Sequence, residues 1–241
     1  MALKAFIDFD GTITAKDVGD EFFLRFGGPR CASFTAAYRR GEISARECFL
    51  RETAAIGSLS PSEADEFFRE QTIDPGFKEF LGFCRRAGIE PAVVSDGLDF
   101  YIRRICELND IRDVPAFSNV LTLLPVDGTG RFSPVITFPH ADGECDRCAC
   151  CKRNIMLGHA AENDVLIYIG EGYSDFCPAR YADVVFAKDE LQAHCQRENI
   201  SYFVYETFYD VVKRLEGLLA KKKLRTRRRA ELKRREVFMR E

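Results

Sequence analysis

Apolar residues recur along this chain with two periods, and the points where the period changes mark its elements. The opening run in "KAFIDFDG" reads as a buried strand ending near Asp8. From about residue 16 to 74 the spacing is helical throughout. "DVGDEFFLRFG", "CASFTAAYRRGEISARECFLRETAAIG" and "SPSEADEFFREQ" place apolar residues three and four apart, and Ser60-Pro61-Ser62-Glu63 resembles a helix start. The pattern then alternates. "PGFKEFLGFCRRAG" predicts a helix stopped by Gly88, "IEPAVVSDG" a short strand, and "LDFYIRRICELND" another amphipathic helix. "FSNVLTLLPVDGTGRFSPVITF" predicts strand, turn and strand around Asp127-Gly128. Beyond it the pattern predicts a helix from about Lys152, the strand "DVLIYIGEG", a helix near "DFCPARYA", the strand "DVVFAK", and a strand then a helix in "SYFVYETFYDVVKRLEGLL".

Strands separated by amphipathic helices signal a parallel sheet. The predicted fold is α/β: a three-layer αβα Rossmann-like core from residues 1–15 and 75–217. A small all-helical cap, 16–74, is inserted after the first strand, and a basic helical tail, 218–241, closes the chain. Asp10-Gly11 taken alone is also a hairpin signal, but helix follows it instead of a partner strand.

Composition and charge refine this picture. A 241-residue chain with 46% apolar residues can bury the core of one domain plus a small insertion. No apolar run approaches the roughly 18–20 residues of a membrane span, and the first residues pass directly into a strand pattern. A cytoplasmic setting with mostly reduced cysteines is therefore expected. The net charge of −3 hides an asymmetry: the stretch from Lys221 to Glu241 holds eleven Lys/Arg against three Glu. The tail thus carries about +8 and the remainder about −11. It reads as a solvated basic helix or frayed end; contact with a polyanion is the second reading, and nucleic acid is not an expected partner.

Loops after parallel strands emerge on one sheet edge, where open α/β folds carry their sites. The sequence brings Asp8, Asp10 and Thr12 there, then Ser95-Asp96-Gly97, then Glu171 and Asp175, with Lys152 opening a helix. Acids gathered in this way repel unless a cation sits between them, and hard oxygen donors suit Mg²⁺ with room left for a phosphate oxygen. A lysine and a small hydroxyl can hold the other oxygens while one carboxylate attacks phosphorus and a second moves protons.

In order, "DFDGT", "VVSDG", a later Lys and "IGEGYSD" resemble the four motifs of the haloacid dehalogenase superfamily. The helical insertion is similar to the C1-type cap of its phosphoserine-phosphatase branch. "PHADGECDRCACCKRN" and "DVVFAKDELQAHCQRENI" resemble members of that branch acting on a methylthio-sugar-type enol phosphate. The resemblance implies a Mg²⁺-dependent phosphomonoesterase for a small phosphorylated metabolite, with phosphoserine, an enol phosphate of that type and phosphocholine-like head groups as candidates. It implies Asp8 as nucleophile and metal ligand, and Asp10 as general acid/base with its main-chain carbonyl on the metal. Ser95 and Lys152, with Thr12 and Gly97, would hold the phosphoryl group, and Glu171 and Asp175 would complete the metal site. Asp17 would face a polar or cationic part of the substrate or, equally, cap the next helix. Two positions depart from the branch: Asp96 stands where it has Gly, beside the phosphate site, where it would either point away or contact a substrate amine or hydroxyl, and Glu171 stands where it has Asp. The competing reading is a non-catalytic regulator that accepts a phosphoryl group or binds a polyanion through its tail, but such a switch needs neither the second acid nor the cap.

Phe22, Phe23, Phe26 and Arg51 are the cap residues expected to face the site. Cys145-x-x-Cys148-x-Cys150-Cys151 lies next to His140 and just before Lys152. It is too cramped for the two separated ligand pairs of a structural zinc, and bound zinc, a labile disulfide and reduced thiols all stay open. His140, His159 and His194 read as packing or surface residues.

Overall fold

A computed structural model of the chain describes residues 1–238. Among these, the strands are β1 (Leu3–Ile7), β2 (Ile89–Leu98), β3 (Ala116–Val126), β4 (Arg131–Thr137), β5 (Val165–Gly170), β6 (Val184–Ala187) and β7 (Phe203–Val204). Four helices separate β1 from the rest: α1 (Val18–Gly27), α2 (Arg30–Arg39), α3 (Ala45–Ile56) and α4 (Pro61–Arg69). The others are α5 (Phe77–Ala87), α6 (Asp99–Leu108), α7 (Lys152–Gly158), α8 (Asp189–Arg197), α9 (Phe208–Ala220) and α10 (Arg228–Phe238). One seven-stranded sheet runs in the order β4-β3-β2-β1-β5-β6-β7. Neighbours are parallel except β3 and β4, which form an antiparallel hairpin turning at Asp127-Gly128, with Gly128 at φ 67°.

The sheet is mixed and covered on both faces, which is why β5, "VLIYIG", is buried at every position instead of alternating. Ala5, Ile7, Ile167, Ile169 and Phe186 join one apolar cluster with residues of α5, α6 and α9. Phe6, Leu166, Tyr168 and Val185 join another with Ile155 and Met156 of α7 and Leu191 and Cys195 of α8. Successive strand residues point to opposite faces, so the two clusters are the two helix–sheet interfaces of a three-layer αβα fold.

Helices α1 and α4 meet around Phe22, whose ring centroid lies 5.1–6.1 Å from those of Phe23, Phe26, Phe67 and Phe68. The chain enters and leaves this helical unit through paired linkers: Ala15 N–H donates to the Thr72 carbonyl at 2.9 Å, and Asp74 N–H to that of Ile13 at 2.8 Å. The hairpin props its far side, Leu59 and Phe132 exchanging two main-chain bonds at 2.7 and 2.9 Å.

Two expectations need correction. Around "DFCPARYA" the chain makes two short 3₁₀ turns, Tyr173–Asp175 and Pro178–Arg180, because Pro178 removes a main-chain donor. The basic tail is not simply solvated. Ala230 on α10 is fully buried, and Arg234 is buried against Asp183, Nη1 donating to it at 3.2 Å and to the Tyr181 carbonyl at 2.7 Å. Residues 239–241 of the tail lie outside the described residues. Among those described, no helix is long and apolar enough to cross a membrane.

Candidate active site

β1, β2 and β5 lie side by side at the centre of the sheet and end at one edge, so the groups that follow them meet there. Asp8 immediately follows β1, its N–H donating to the Ile169 carbonyl at 2.9 Å. The chain then turns through Gly11 at φ 66°, a conformation that favours glycine, and a side chain there would also press on Glu171, whose Cδ lies 3.0 Å from the Cβ position.

Lys152 is 1% exposed, and its ammonium is held from three sides. It donates to Asp8 Oδ1 at 2.6 Å, Asp175 Oδ1 at 2.6 Å and Ser174 Oγ at 2.8 Å. Asp175 is fully committed: Oδ1 also accepts from the Tyr168 hydroxyl at 2.5 Å, and Oδ2 accepts from the N–H groups of Glu171 and Gly172 at 2.9 and 3.0 Å. Its oxygens therefore position Lys152 and the turn after β5.

Asp10 sits beneath the helical unit. Oδ2 accepts from the Tyr101 hydroxyl at 2.8 Å and from Ser95 Oγ at 3.1 Å, while Oδ1 accepts from Gly19 N–H at the start of α1 at 3.2 Å. Ser95 Oγ in turn accepts from Gly97 N–H at 2.9 Å. Gly97 must lack a side chain, since a Cβ would overlap the Tyr101 hydroxyl and stand 2.6 Å from Asp10 Oδ2. Thr12 Oγ1 donates to Asp8 Oδ2 at 3.3 Å.

The electrostatics follow from burying acids together. Burial, and then the charge of Asp175, push Asp8 up to about 7 despite Lys152. Glu171 rises to about 8 through burial and the charges of Asp8 and Asp175. Asp10 is held well above the carboxylate range by burial, then by Asp17 and Asp8. This excess of convergent, partly protonated carboxylate is the donor chemistry of a hard divalent cation. Among the described residues no cluster of three His, Cys, Asp or Glu side chains is arranged to hold a metal alone. Asp8 and Glu171 are the carboxylates that could take such an ion, with the Asp10 carbonyl and waters as further oxygen donors.

Asp96, the extra acid, lines the cavity over Asp8 and Asp10 and is held by main-chain donors. Its Oδ1 accepts from Ala149 and Cys150 N–H at 2.8 and 2.7 Å, so it anchors the loop that delivers Lys152. Asp17 caps α1, accepting from Asp20 N–H at 2.8 Å, and also lines the cavity over Asp8 and Asp10. That cavity, about 140 Å³, is lined by Phe23 and Phe49 together with polar Thr35, Tyr38, Arg39 and Glu52, Thr35 Oγ1 donating to Glu52 at 3.0 Å. Of the four expected cap residues only Phe23 lines it. Phe22 and Phe26 are core of the helical unit, and Arg51 pairs with Glu47 at 2.8 Å on the surface. Tyr101, Ser174, Tyr168 and Arg39 were not singled out by sequence. Tyr101 lies one turn after the Ser95-Asp96-Gly97 stretch, the only local cue to its place.

Comparison with known proteins agrees with this geometry. The family of haloacid dehalogenase-like hydrolases matches residues 5–180. An Exiguobacterium sp. 2-hydroxy-3-keto-5-methylthiopentenyl-1-phosphate phosphatase is 34% identical over 225 residues, covering 90% of this chain and 99% of that protein. The Brevibacillus brevis enzyme of the same name is 32% identical, covering 89% and 95%. A phosphoserine phosphatase solved as a phospho-aspartyl intermediate analogue superposes with a TM-score of 0.66 at 18% identity, over 88% of this chain and 98% of that one. The fold and site thus define a phosphatase. The chain belongs to the haloacid dehalogenase-like hydrolase family.

Proposed function

We propose that this phosphatase hydrolyses a small phosphate monoester through an aspartyl-phosphate at Asp8, with Mg²⁺ as cofactor and an enol phosphate of the 2-hydroxy-3-keto-5-methylthiopentenyl-1-phosphate type as substrate. The observation that carries this reading is the buried Lys152 ammonium bridging Asp8 and Asp175, with Asp10 hydrogen-bonded alongside. Asp8 attacks phosphorus in line, and Lys152 and Ser95 take phosphoryl oxygens as charge develops. Asp10, protonated when substrate arrives, gives its proton to the leaving oxygen. It then takes one from the water that attacks the acyl phosphate, which regenerates Asp8 and releases phosphate. Asp8, Glu171 and the Asp10 carbonyl would hold Mg²⁺, which would supply neutralisation of charge on the phosphoryl group. Asp175 acts by positioning Lys152, and Asp17 borders the leaving group.

The methylthiopentenyl phosphate is preferred because the relatives of that name span nearly the whole chain, and because Phe23 and Phe49 give the cavity apolar surface for a thioether in addition to polar Thr35 and Tyr38. Assay of a phosphate-ester panel with and without Mg²⁺ tests this. The expected result is Mg²⁺-dependent release of phosphate, with kcat/KM for the enol phosphate at least about tenfold above that for phosphoserine. Asp8→Asn should lower kcat by about a thousandfold or more. A preference for phosphoserine would overturn the substrate assignment, and full turnover by Asp8→Asn the nucleophile.

A further inference from the structure

We propose that Cys148 and Cys151 are an oxidative modification site, a thiol pair that a peroxide converts to a disulfide and that thereby withdraws Lys152 from the phosphate site. The inference rests on the reading of Lys152 as a phosphate-holding group.

The two thiols stand three positions apart in the chain, and with Cys145 and Cys177 they line a second cavity of about 240 Å³, which shares Tyr173 and Ser174 with the substrate cavity and gives the otherwise buried Cys151 its access. Their environments differ in the way an attacking and a resolving thiol require. Cys148, the Asn154 N–H and the Arg153 guanidinium bring Cys151 down to about 7 against its burial and the charge of Asp142, whose Oδ2 lies 3.9 Å from its sulfur, whereas Cys148 is pushed up by Cys151 and by burial. Arg153 is itself fixed by Asp142, donating to Oδ2 at 2.6 Å. All ten cysteines are free thiols.

The chemistry balances with a peroxide as oxidant. The Cys151 thiolate attacks one peroxide oxygen, the O–O bond breaks, hydroxide leaves and a sulfenic acid remains. The Cys148 thiol then attacks that sulfur, forming S–S and releasing water. Each thiol loses one electron to the pair of reduced oxygens.

The consequence follows from what this segment holds. Lys152 is the next residue after Cys151, whose own N–H donates to the His140 carbonyl at 2.8 Å. Asp96 fixes the intervening Ala149 and Cys150 through their N–H groups. The same loop meets the helical unit, the Tyr38 hydroxyl donating to the Arg147 carbonyl at 2.6 Å and Ala45 N–H to that of Asp146 at 3.2 Å. A disulfide fixes the two sulfurs about 2 Å apart, well inside the contact distance of two free thiols. Lys152, with two bonds of 2.6 Å to carboxylates, has no slack to absorb such a shift.

The test uses the full-length protein, fully reduced and then exposed to hydrogen peroxide, with non-reducing peptide mapping and phosphatase assay on the same samples. The expected result is a Cys148–Cys151 linkage, a fall in kcat/KM of about a hundredfold, and recovery with dithiothreitol. Cys151→Ser should hydrolyse substrate as the reduced wild type does and keep that activity in peroxide. Cys148→Ser, lacking the resolving thiol, should form no such linkage and so also keep its activity in peroxide. Absence of that linkage, linkage with unchanged activity, or equal inactivation of Cys151→Ser would each overturn the inference. Failure of the reduced wild type to hydrolyse any ester would overturn the function instead, and mapping would still report the linkage.

Discussion

A lysine ammonium with 1% exposure is tolerable at position 152 only because two carboxylates, Asp8 and Asp175, each accept from it at 2.6 Å. The pairing is reciprocal, since removing the cation leaves two acids facing each other in a dry site. Lys152→Met is therefore expected to lower kcat/KM by about a hundredfold or more, through lost stabilisation of the phosphoryl charge. It is also expected to destabilise the metal-free fold by about 3–5 kcal/mol. Assay and urea denaturation of the same variant check the two effects, and an unchanged kcat/KM would remove Lys152 from the site. Motif order pointed to Lys152 and Asp8 because each sits at an element end. Tyr101 escaped notice because an interior helix position of apolar character looks like core; only the fold turns its hydroxyl toward Asp10. Asp96 was visible as a departure, yet the N–H groups it serves lie more than fifty positions away, at Ala149 and Cys150.

At the scale of elements, the ties that hold the helical unit include the paired linkers at Ala15 and Asp74, the Leu59–Phe132 bonds to the hairpin, Gly19 on Asp10, and Tyr38 with Ala45 on the cysteine loop. The last two lie beside the cavity. Tyr38→Phe removes one hydroxyl bond, worth about 1 kcal/mol, without removing the ring, which packs edge-on to Tyr173 at 5.8 Å between centroids. The expected outcome is a rise in KM of about fivefold with little change in thermal stability; steady-state kinetics on both proteins test it, and unchanged KM would dismiss that contact as a closure point. Helical periodicity made the elements of 16–74 readable, because each buries one face. Their attachment was not, because pairing of residues near 14 with residues near 73 depends on where two distant stretches meet. The 3₁₀ turns after β5 were misread because apolar content there comes from packing on α8, where Phe176 stacks on His194 at 4.0 Å between centroids, and not from helical repetition.

Over the whole molecule, the charge asymmetry divides into two neutralisation problems. One is met within the fold: Asp183 near β6 is buried and takes Arg234 of α10, a partner whose sign was obvious in the tail but whose destination was not. Arg234→Met is expected to cost about 3 kcal/mol in urea denaturation, with little effect on KM. The other is the acid cluster at the sheet edge. Asp8 and Glu171 move in the folded protein from 3.8 and 4.5 to about 7 and about 8. Between about pH 4 and 8 the folded state thus binds more protons at these groups than the unfolded chain does. Their contribution to stability is full below about pH 4 and is lost as pH rises through about 7 and 8. A divalent cation bound by the ionised carboxylates offsets that loss and competes with the same protons. The expected result is that Mg²⁺ raises the melting temperature of chelator-treated protein more at pH 8 than at pH 5.5, by several degrees at the higher pH if binding supplies about 1–2 kcal/mol. Calorimetry at both pH values decides it. A gain that is equal at the two, or larger at the lower, would mean that the cation does not bind through Asp8 and Glu171.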